Sequence, residues 1–234
     1  MTVGWPKWAC DLTLSFMPDS LDQFRLVEQI AATPDAVRYR AVRQDSAQPV
    51  EILIFKASDA DRSRRCHRRV KLSQMVQEPC VRAVLAYDST VASPFVVLPE
   101  VSGHSLRDEL ETSLPITPGR ALTIVSQVAT ALVAAHRVGL AHGSIAPEHV
   151  AVAESVLGKS LACQICFATT PPLSRDDFAE DVRQLGELWF WLTGRNVPAE
   201  QAALRDDMRA ADPLDRPKAD DVSEIGRASC RERV

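Results

Sequence analysis

The chain has 234 residues, of which 46% are hydrophobic and 25% are charged. This composition is typical of a globular protein and excludes a disordered or collagen-like chain. The net charge of −4 provides no general attraction to nucleic acid or to anionic lipid. Apolar runs fall short of the ~18 residues of a membrane helix, and the first residues lack the pattern of a signal peptide. Six scattered cysteines favour the reducing cytoplasm.

The two ends of the chain differ from its middle. Residues 1–23 show no lasting hydrophobic period, so we expect an N-terminal extension there. Residues 225–234 resemble one reading frame of a sequencing adapter and are set aside as a probable non-native tail. On this interpretation the native chain continues beyond Glu224.

The first half of the chain has the pattern of a small β layer. Short segments rich in β-branched and aromatic residues, separated by polar turns, are typical of strands. They cover 24–30, 37–42, 50–55, 81–87 and 94–99. The charged segment 61–76 between them carries apolar residues at helical spacing and predicts a helix.

The second half has the pattern of helices. Thr117 and Pro118 are typical of the first cap and first turn of a helix, which Gly139 ends. A second helix runs through 182–192, and a third covers about 200–210, before a proline. Between the first two helices, 149–153 and 161–167 indicate a short hairpin.

Five strings, in this order along the chain, resemble a bacterial Ser/Thr protein kinase. They are FRLVEQI at 24–30, FVVLPEVSGHSL at 95–106, AHGSIAPEHV at 141–150, DVRQLG with LTGR within 181–195, and DPLDRP at 212–217. The resemblance implies an α+β, bilobal kinase-like domain over 24–224. Its β-rich N-lobe would cover about 24–98, and its mainly helical C-lobe about 102–224.

An active kinase relies on a fixed set of charged residues, because its catalysis is positioning and charge stabilisation. In this chain every matching position is replaced. The phosphate-binding lysine falls on Leu53 and its glutamate partner on Arg69. The catalytic aspartate falls on Ser144 and the lysine after it on Ala146. The two metal ligands, an asparagine and the aspartate of D-F-G, fall on His149 and Cys166.

The nucleotide cleft that the resemblance implies is degenerate too. Its three loop glycines fall on Ala31, Thr33 and Ala36, and its valine on Arg38. The hinge positions are Leu98, Pro99 and Val101. Lys56 is expected to be an exposed surface charge, although a shifted register would bring it to the lysine position. We therefore expect weak or no ATP binding and no bound cofactor.

The resemblance also implies a deletion and a retained scaffold. Only 168–180 separates Phe167 from Asp181, which is too short for an activation loop, a peptide-docking turn and an A-P-E motif. His142 is expected to pack under the former metal site. Asp181 is expected to accept hydrogen bonds from the His142–Gly143 turn.

The cysteines allow a second interpretation. Cys163 and Cys166 form a C-x-x-C string, but i and i+3 on a strand face opposite ways, which argues against a shared metal. His149 and Cys166 occupy the two metal-ligand positions, and a thiolate with an imidazole suits Zn²⁺, with His142 as a possible third ligand. The alternative, which we favour, is that these residues fill a dead site, so no metal is predicted.

A basic run covers the helix of the first half. Seven basic side chains lie between Arg62 and Lys71, namely Arg62, Arg64, Arg65, His67, Arg68, Arg69 and Lys71. Such a run either binds an acidic partner or forms a solvated helix face. With Arg69 in place of the inward glutamate, this helix is expected to be free for docking. Of the consecutive aromatic residues 189–191, two are expected in the core and one on the surface.

These observations predict a catalytically inactive kinase-like domain, a pseudokinase, that acts in signalling by protein binding or scaffolding. No nucleic-acid partner and no membrane segment are expected. Two alternatives stay open on the sequence. One is a divergent Ser/Thr kinase with ATP, Mg²⁺ and phosphotransferase activity; the other is a degenerating product without function.

Overall fold

The computed structural model describes residues 21–33, 36–56, 60–88, 93–101, 103–112, 116–154, 161–168, 177–194 and 196–224. The side chains of 60–62 and 154 are not among them. Most of the predicted extension, the segment 169–176 and the tail 225–234 also lie outside the described residues. The chain divides into two compact units, the first comprising 1–67 and 84–100, the second 68–83 and 101–234.

The first unit is an antiparallel sheet of five strands. They are β1 (Phe24–Ala32), β2 (Ala36–Arg43), β3 (Pro49–Phe55), β4 (Ala86–Asp88) and β5 (Phe95–Pro99), in the order β1-β2-β3-β5-β4. Alternate residues of the strands point to one face, as the two-residue period requires. Their apolar side chains form a core with members Leu21, Phe24, Ala41, Val50, Ile52, Phe95 and Val97.

Four of the five predicted strands are confirmed, and the prediction for 81–87 is wrong over most of its length. Only Ala86–Asp88 is a strand. Val81 makes an isolated parallel bridge to Ile165, and the Arg82 N–H donates to the Ile165 carbonyl at 2.8 Å. Residues 81–83 therefore belong to the second unit, where Val81 and Arg82 bind Ile165, and do not extend this sheet.

Helix α1 (Ala60–Met75) confirms the predicted helix. Its second half, from Arg68, belongs to the second unit. Arg69, Val70 and Ser73 are buried, whereas Arg64, Arg68 and Lys71 are exposed. The three exposed cations follow an i, i+4, i+7 spacing, which places them on one face of the helix.

The second unit is mainly helical. Its helices are α2 (Leu106–Thr112), α3 (Pro118–Arg137), α4 (Phe178–Thr193) and α5 (Ala199–Met208), with short 3-10 helices at Pro147–His149 and Pro213–Asp215 and a helical stretch at 219–224. A three-stranded sheet, β6 (His104–Ser105), β7 (Val150–Glu154) and β8 (Leu161–Ile165), packs beside α3. The predicted cap of α3 is confirmed, since the Thr117 hydroxyl accepts from the Arg120 N–H. The predicted hairpin is confirmed as β7 and β8.

Helix α2 is an element that the sequence analysis missed, although its signal is local. The Ser105 N–H donates to the Asp108 carboxylate, and the Asp108 N–H donates to the Ser105 hydroxyl, both at 3.1 Å. This reciprocal pair of hydrogen bonds is a capping box, which the S-x-x-D spacing of 105–108 indicates. The helix places Glu109 in the protein interior, where Arg120 binds it at 2.6 Å and 2.9 Å.

The prediction for the consecutive aromatic residues is confirmed for one core and one surface residue, but not for a second core residue. Trp189 is fully buried, and Trp191 is 65% exposed. Phe190 is half-buried and contacts two cations, Arg205 on α5 and Arg209 just after it, whose guanidinium carbons lie 5.1 Å and 4.5 Å from its ring centroid. These cation–π contacts stabilise the packing of α5 on α4.

Candidate functional site

The turn between β1 and β2 carries the positions of the nucleotide-loop glycines. Thr33 and Ala36 bind each other: the Thr33 N–H donates to the Ala36 carbonyl at 2.9 Å, and the Ala36 N–H donates to the Thr33 hydroxyl at 3.1 Å. Ala31 pairs with Arg38 in the β1–β2 ladder. Backbone N–H groups that cradle a phosphate must point at it. Those of Thr33 and Ala36 are instead used to close the hairpin.

Lys56 confirms the expectation of an exposed charge. It follows the last residue of β3, and its ammonium donates to the Thr33 carbonyl at 2.7 Å. The residue at the lysine position, Leu53, is buried inside β3 and pairs with Arg38 and Val96. An aliphatic side chain at this position packs in the sheet and has neither a charge nor a hydrogen-bond donor with which to bind a phosphate.

The expected hinge positions divide between the units. Leu98 and Pro99 lie on β5 in the first unit, where Leu98 is buried and pairs with Glu51. Val101 belongs to the second unit. The remaining predicted site residues lie in the second unit.

Arg69 gives α1 two inward hydrogen bonds that the sequence did not indicate. Its Nε donates to the Phe167 carbonyl and its Nη2 donates to the His142 carbonyl, both at 2.6 Å. Only 5% of the residue is exposed. The second half of the helix is therefore bonded to the protein interior through two carbonyl oxygens. These bonds form because backbone carbonyl oxygens accept charge-assisted hydrogen bonds from a buried guanidinium, which therefore needs no carboxylate partner.

Asp181, at the start of α4, holds the turn at His142 as expected. One carboxylate oxygen accepts from the His142 N–H at 2.7 Å and lies 2.9 Å from the His136 Nε2. The other accepts from the Gly143 N–H at 2.6 Å. Asp181 is fully buried. The contact of His136 with Asp181 was not predicted, because the position of His136 in the sequence identifies it only as part of one face of α3.

Ser144 and His149, the residues predicted at the base and metal-ligand positions, lie next to each other. The Ser144 hydroxyl is 3.3 Å from the His149 Nδ1, which is also 2.7 Å from the Ser144 carbonyl. The carbonyl accepts only if Nδ1 carries the proton, so in this arrangement His149 has no lone pair there for the hydroxyl. The pair is thus not arranged as a nucleophile and its base. Ala146 lies just before the 3-10 helix, with no side-chain function.

His142 packs under this loop, as expected. It is 1% exposed, and its ring meets the Phe167 ring edge-on at 5.0 Å between centroids. Burial lowers the pKa of His142 well below its usual value, and the positive charges of Arg69 and His149 lower it further. The imidazole is therefore neutral at pH 7, and its Nδ1 accepts from the Ser144 N–H at 3.3 Å.

Metal binding at the cysteines finds no support in the described part of the chain, where no group of three or more His, Cys, Asp or Glu side chains is arranged to hold an ion. Cys163 lies on β8 and Cys166 just beyond it, and both are buried. Burial raises the pKa of Cys163 to about 12, which keeps it a thiol at neutral pH. The positively charged Arg69 also binds the residue next to Cys166.

Comparisons with known proteins show relatives among bacterial kinases. The chain is 27% identical to the serine/threonine-protein kinase pkn2 of Myxococcus xanthus over 175 residues, 72% of this chain and 21% of that protein. It is 32% identical to PknD of Mycobacterium tuberculosis over 135 residues, 58% of this chain and 19% of that protein. The chain thus spans about a fifth of the length of these relatives. No protein-family model matches it.

A solved structure agrees with the α+β, bilobal kinase-like fold predicted from the sequence. The structure of Rad53 residues 1–466 in complex with AMP-PNP superposes with a TM-score of 0.73 at 16% identity, covering 87% of this chain and 65% of that one. Within the described ranges, no helix is long and apolar enough to cross a membrane. The chain therefore contains a protein kinase-like domain whose relatives are bacterial serine/threonine protein kinases.

Proposed function

We propose that this domain is catalytically inactive and acts in bacterial signalling, in the cytoplasm, by binding another protein. The observation that carries this proposal is the position of Arg69. Where a kinase needs an inward glutamate to hold its phosphate-binding lysine, α1 presents a buried cation that binds two backbone carbonyls. A cation there cannot pair with a lysine, and Leu53 is not a lysine.

The residues around Arg69 support the same conclusion. The Ser144 hydroxyl stays protonated at neutral pH and cannot take the place of an aspartate base. His149 turns its Nδ1 to the Ser144 carbonyl. Mg²⁺ prefers oxygen ligands, which neither His149 nor Cys166 supplies. Each group on which phosphoryl transfer depends is thus replaced by one of different chemistry.

The test is phosphoryl transfer from radiolabelled Mg·ATP, to the domain itself and to general protein substrates. We expect no transfer above a blank, because neither the phosphates nor the attacking hydroxyl is positioned. ATP-dependent labelling that increases with enzyme concentration would overturn the proposal and support the alternative, a divergent kinase.

We further propose that the exposed face of α1 binds an acidic protein partner. We call Arg64, Arg68 and Lys71 the basic stripe, since they share one face of the helix. Of the other basic residues of 62–71, Arg69 points inward, and the side chain of Arg62 lies outside the described residues. An acidic surface would gain association rate from the stripe, and added salt would reduce that gain.

This second proposal predicts a charge-dependent interaction. Changing Arg64, Arg68 and Lys71 together to Glu is expected to abolish capture of acidic proteins from a lysate of the source bacterium at low salt. The matched control changes Arg25, Arg107 and Arg137, exposed cations elsewhere on the chain, to Glu and alters the net charge equally. Recovery of the same proteins by both variants would show that the stripe is only a solvated face.

A further inference from the structure

Arg69 joins three segments that are distant in the sequence. It lies in the second half of α1, and its two carbonyl partners belong to His142, 73 residues away, and Phe167, 98 residues away. All three segments are in the second unit. The basic stripe lies on the other side of the helix, so the inward and outward cations of α1 have different environments.

Burial makes these contacts energetically significant. A guanidinium removed from water loses a large solvation energy, which is offset only if its N–H groups bind good acceptors. Two bonds of 2.6 Å to carbonyl oxygens are short, as charge-assisted hydrogen bonds are. The neighbouring Val70 is fully buried, and Ser73 is 2% exposed. The second half of α1 is therefore fixed by both packing and directed bonds.

We infer that Arg69 is an internal lock, which holds the second half of α1 against the His142 turn and the Phe167 segment without nucleotide or metal. This inference rests on the proposed function, since an active kinase needs a glutamate at this position. The charge of the guanidinium also opposes a divalent cation beside Cys166, and it adds to burial in lowering the pKa of His142. If α1 is already ordered before a partner binds, the free energy of binding does not include the entropy cost of ordering this helix.

The lock is tested by amide hydrogen exchange, followed by mass spectrometry, on the full chain. Arg69→Met keeps the aliphatic length of the side chain but removes its donors and charge. We expect the rate of amide exchange to increase about tenfold or more in 68–75, at 142–143 and at 166–168. The reason is that the hydrogen bonds of Arg69, which connect these three segments, are lost. Arg68→Met, an exposed neighbour on the same helix, is the matched control and should stay within about twofold of the wild type.

Two further measurements distinguish a lock from simple packing. Arg69→Lys keeps the charge and one donor group, so it should protect the three segments better than Arg69→Met. The NMR titration of His142 should shift to higher pH in Arg69→Met and stay near the wild-type position in Arg69→Lys.

The lock is refuted if Arg69→Met exchanges like Arg68→Met, or if Met protects the segments as well as Lys. Should Arg69→Met fail to fold, Arg69→Lys and Arg69→Gln serve instead, and wild-type protection in Arg69→Gln would refute the lock equally. Neither outcome concerns catalysis. Phosphoryl transfer by the wild type would overturn the proposed function while leaving the exchange result to decide the lock.

Discussion

Asp181→Ala is expected to destabilise the domain by about 3–5 kcal/mol, the effect of removing one partner from a buried charged network. The carboxylate is fully buried and binds the N–H groups of His142 and Gly143 and the His136 imidazole, at 2.6 to 2.9 Å. Alanine leaves these groups without their acceptor. For a domain of this size the melting temperature should fall by about 6–20 °C.

The measurement is urea unfolding followed by tryptophan fluorescence. Asp220→Ala is the matched control, because Asp220 is exposed and its ion pair with Arg137 at 3.3 Å is worth about 0–1 kcal/mol. Asp181→Asn keeps one acceptor oxygen and should fall between the two. If Asp181→Ala lost no more stability than Asp220→Ala, the carboxylate would not be holding the His142 turn.

The domain should also lose stability as the pH falls below about 6.5, the ordinary pKa of a histidine. Burial, followed by the charges of Arg69 and His149, lowers the pKa of His142 in the folded state. Between the folded and unfolded values the unfolded chain binds the extra proton, so protonation favours unfolding. The free energy of unfolding then falls by up to about 1.4 kcal/mol per pH unit from this group. The effect is absent above the unfolded pKa.

Urea unfolding at about pH 7.5 and pH 5.5, on either side of the unfolded pKa, measures this dependence. His142→Phe keeps a buried ring that cannot take a proton, so its stability should change less with pH than that of the wild type. If the free energy of unfolding changed equally with pH in the wild type and in His142→Phe, His142 would not be the group responsible for the pH dependence.

The sequence predicted the elements whose signals are local and strong. Strands β1 to β3, helix α1 and the capped start of α3 all follow from hydrophobic period and turn residues near them in the chain. The segment 81–87 was mispredicted because an apolar run shows that residues can form β pairs, but not which strand they pair with. The partner of Val81 is Ile165, which lies 84 positions away in the sequence. Helix α2 was missed despite a local capping box, because seven residues are too few to show a clear period.

The sequence was sufficient to predict which residues of the candidate site are replaced, but not which hydrogen bonds the replacing residues make. The kinase resemblance identified Arg69, Ser144 and Cys166 as altered positions, and it implied the bonds of Asp181 to the turn at His142. Nothing local to Arg69 indicates that it binds carbonyls of two distant loops. A long cation is usually exposed, so its burial depends on acceptors that only the tertiary fold supplies. The same holds for the contact between His136 and Asp181.

If the replaced residues leave no route for phosphoryl transfer, neither the wild type nor Ser144→Asp should transfer phosphate, and an assay of the two proteins side by side measures this. Both are incubated with radiolabelled Mg·ATP, with an active bacterial Ser/Thr kinase domain as the positive control. Groups that act as a unit recover little activity when one is restored. We therefore predict no labelling from either protein. Phosphate transfer by the wild type would contradict the account outright, and transfer by Ser144→Asp would show that a competent metal and nucleotide site persists.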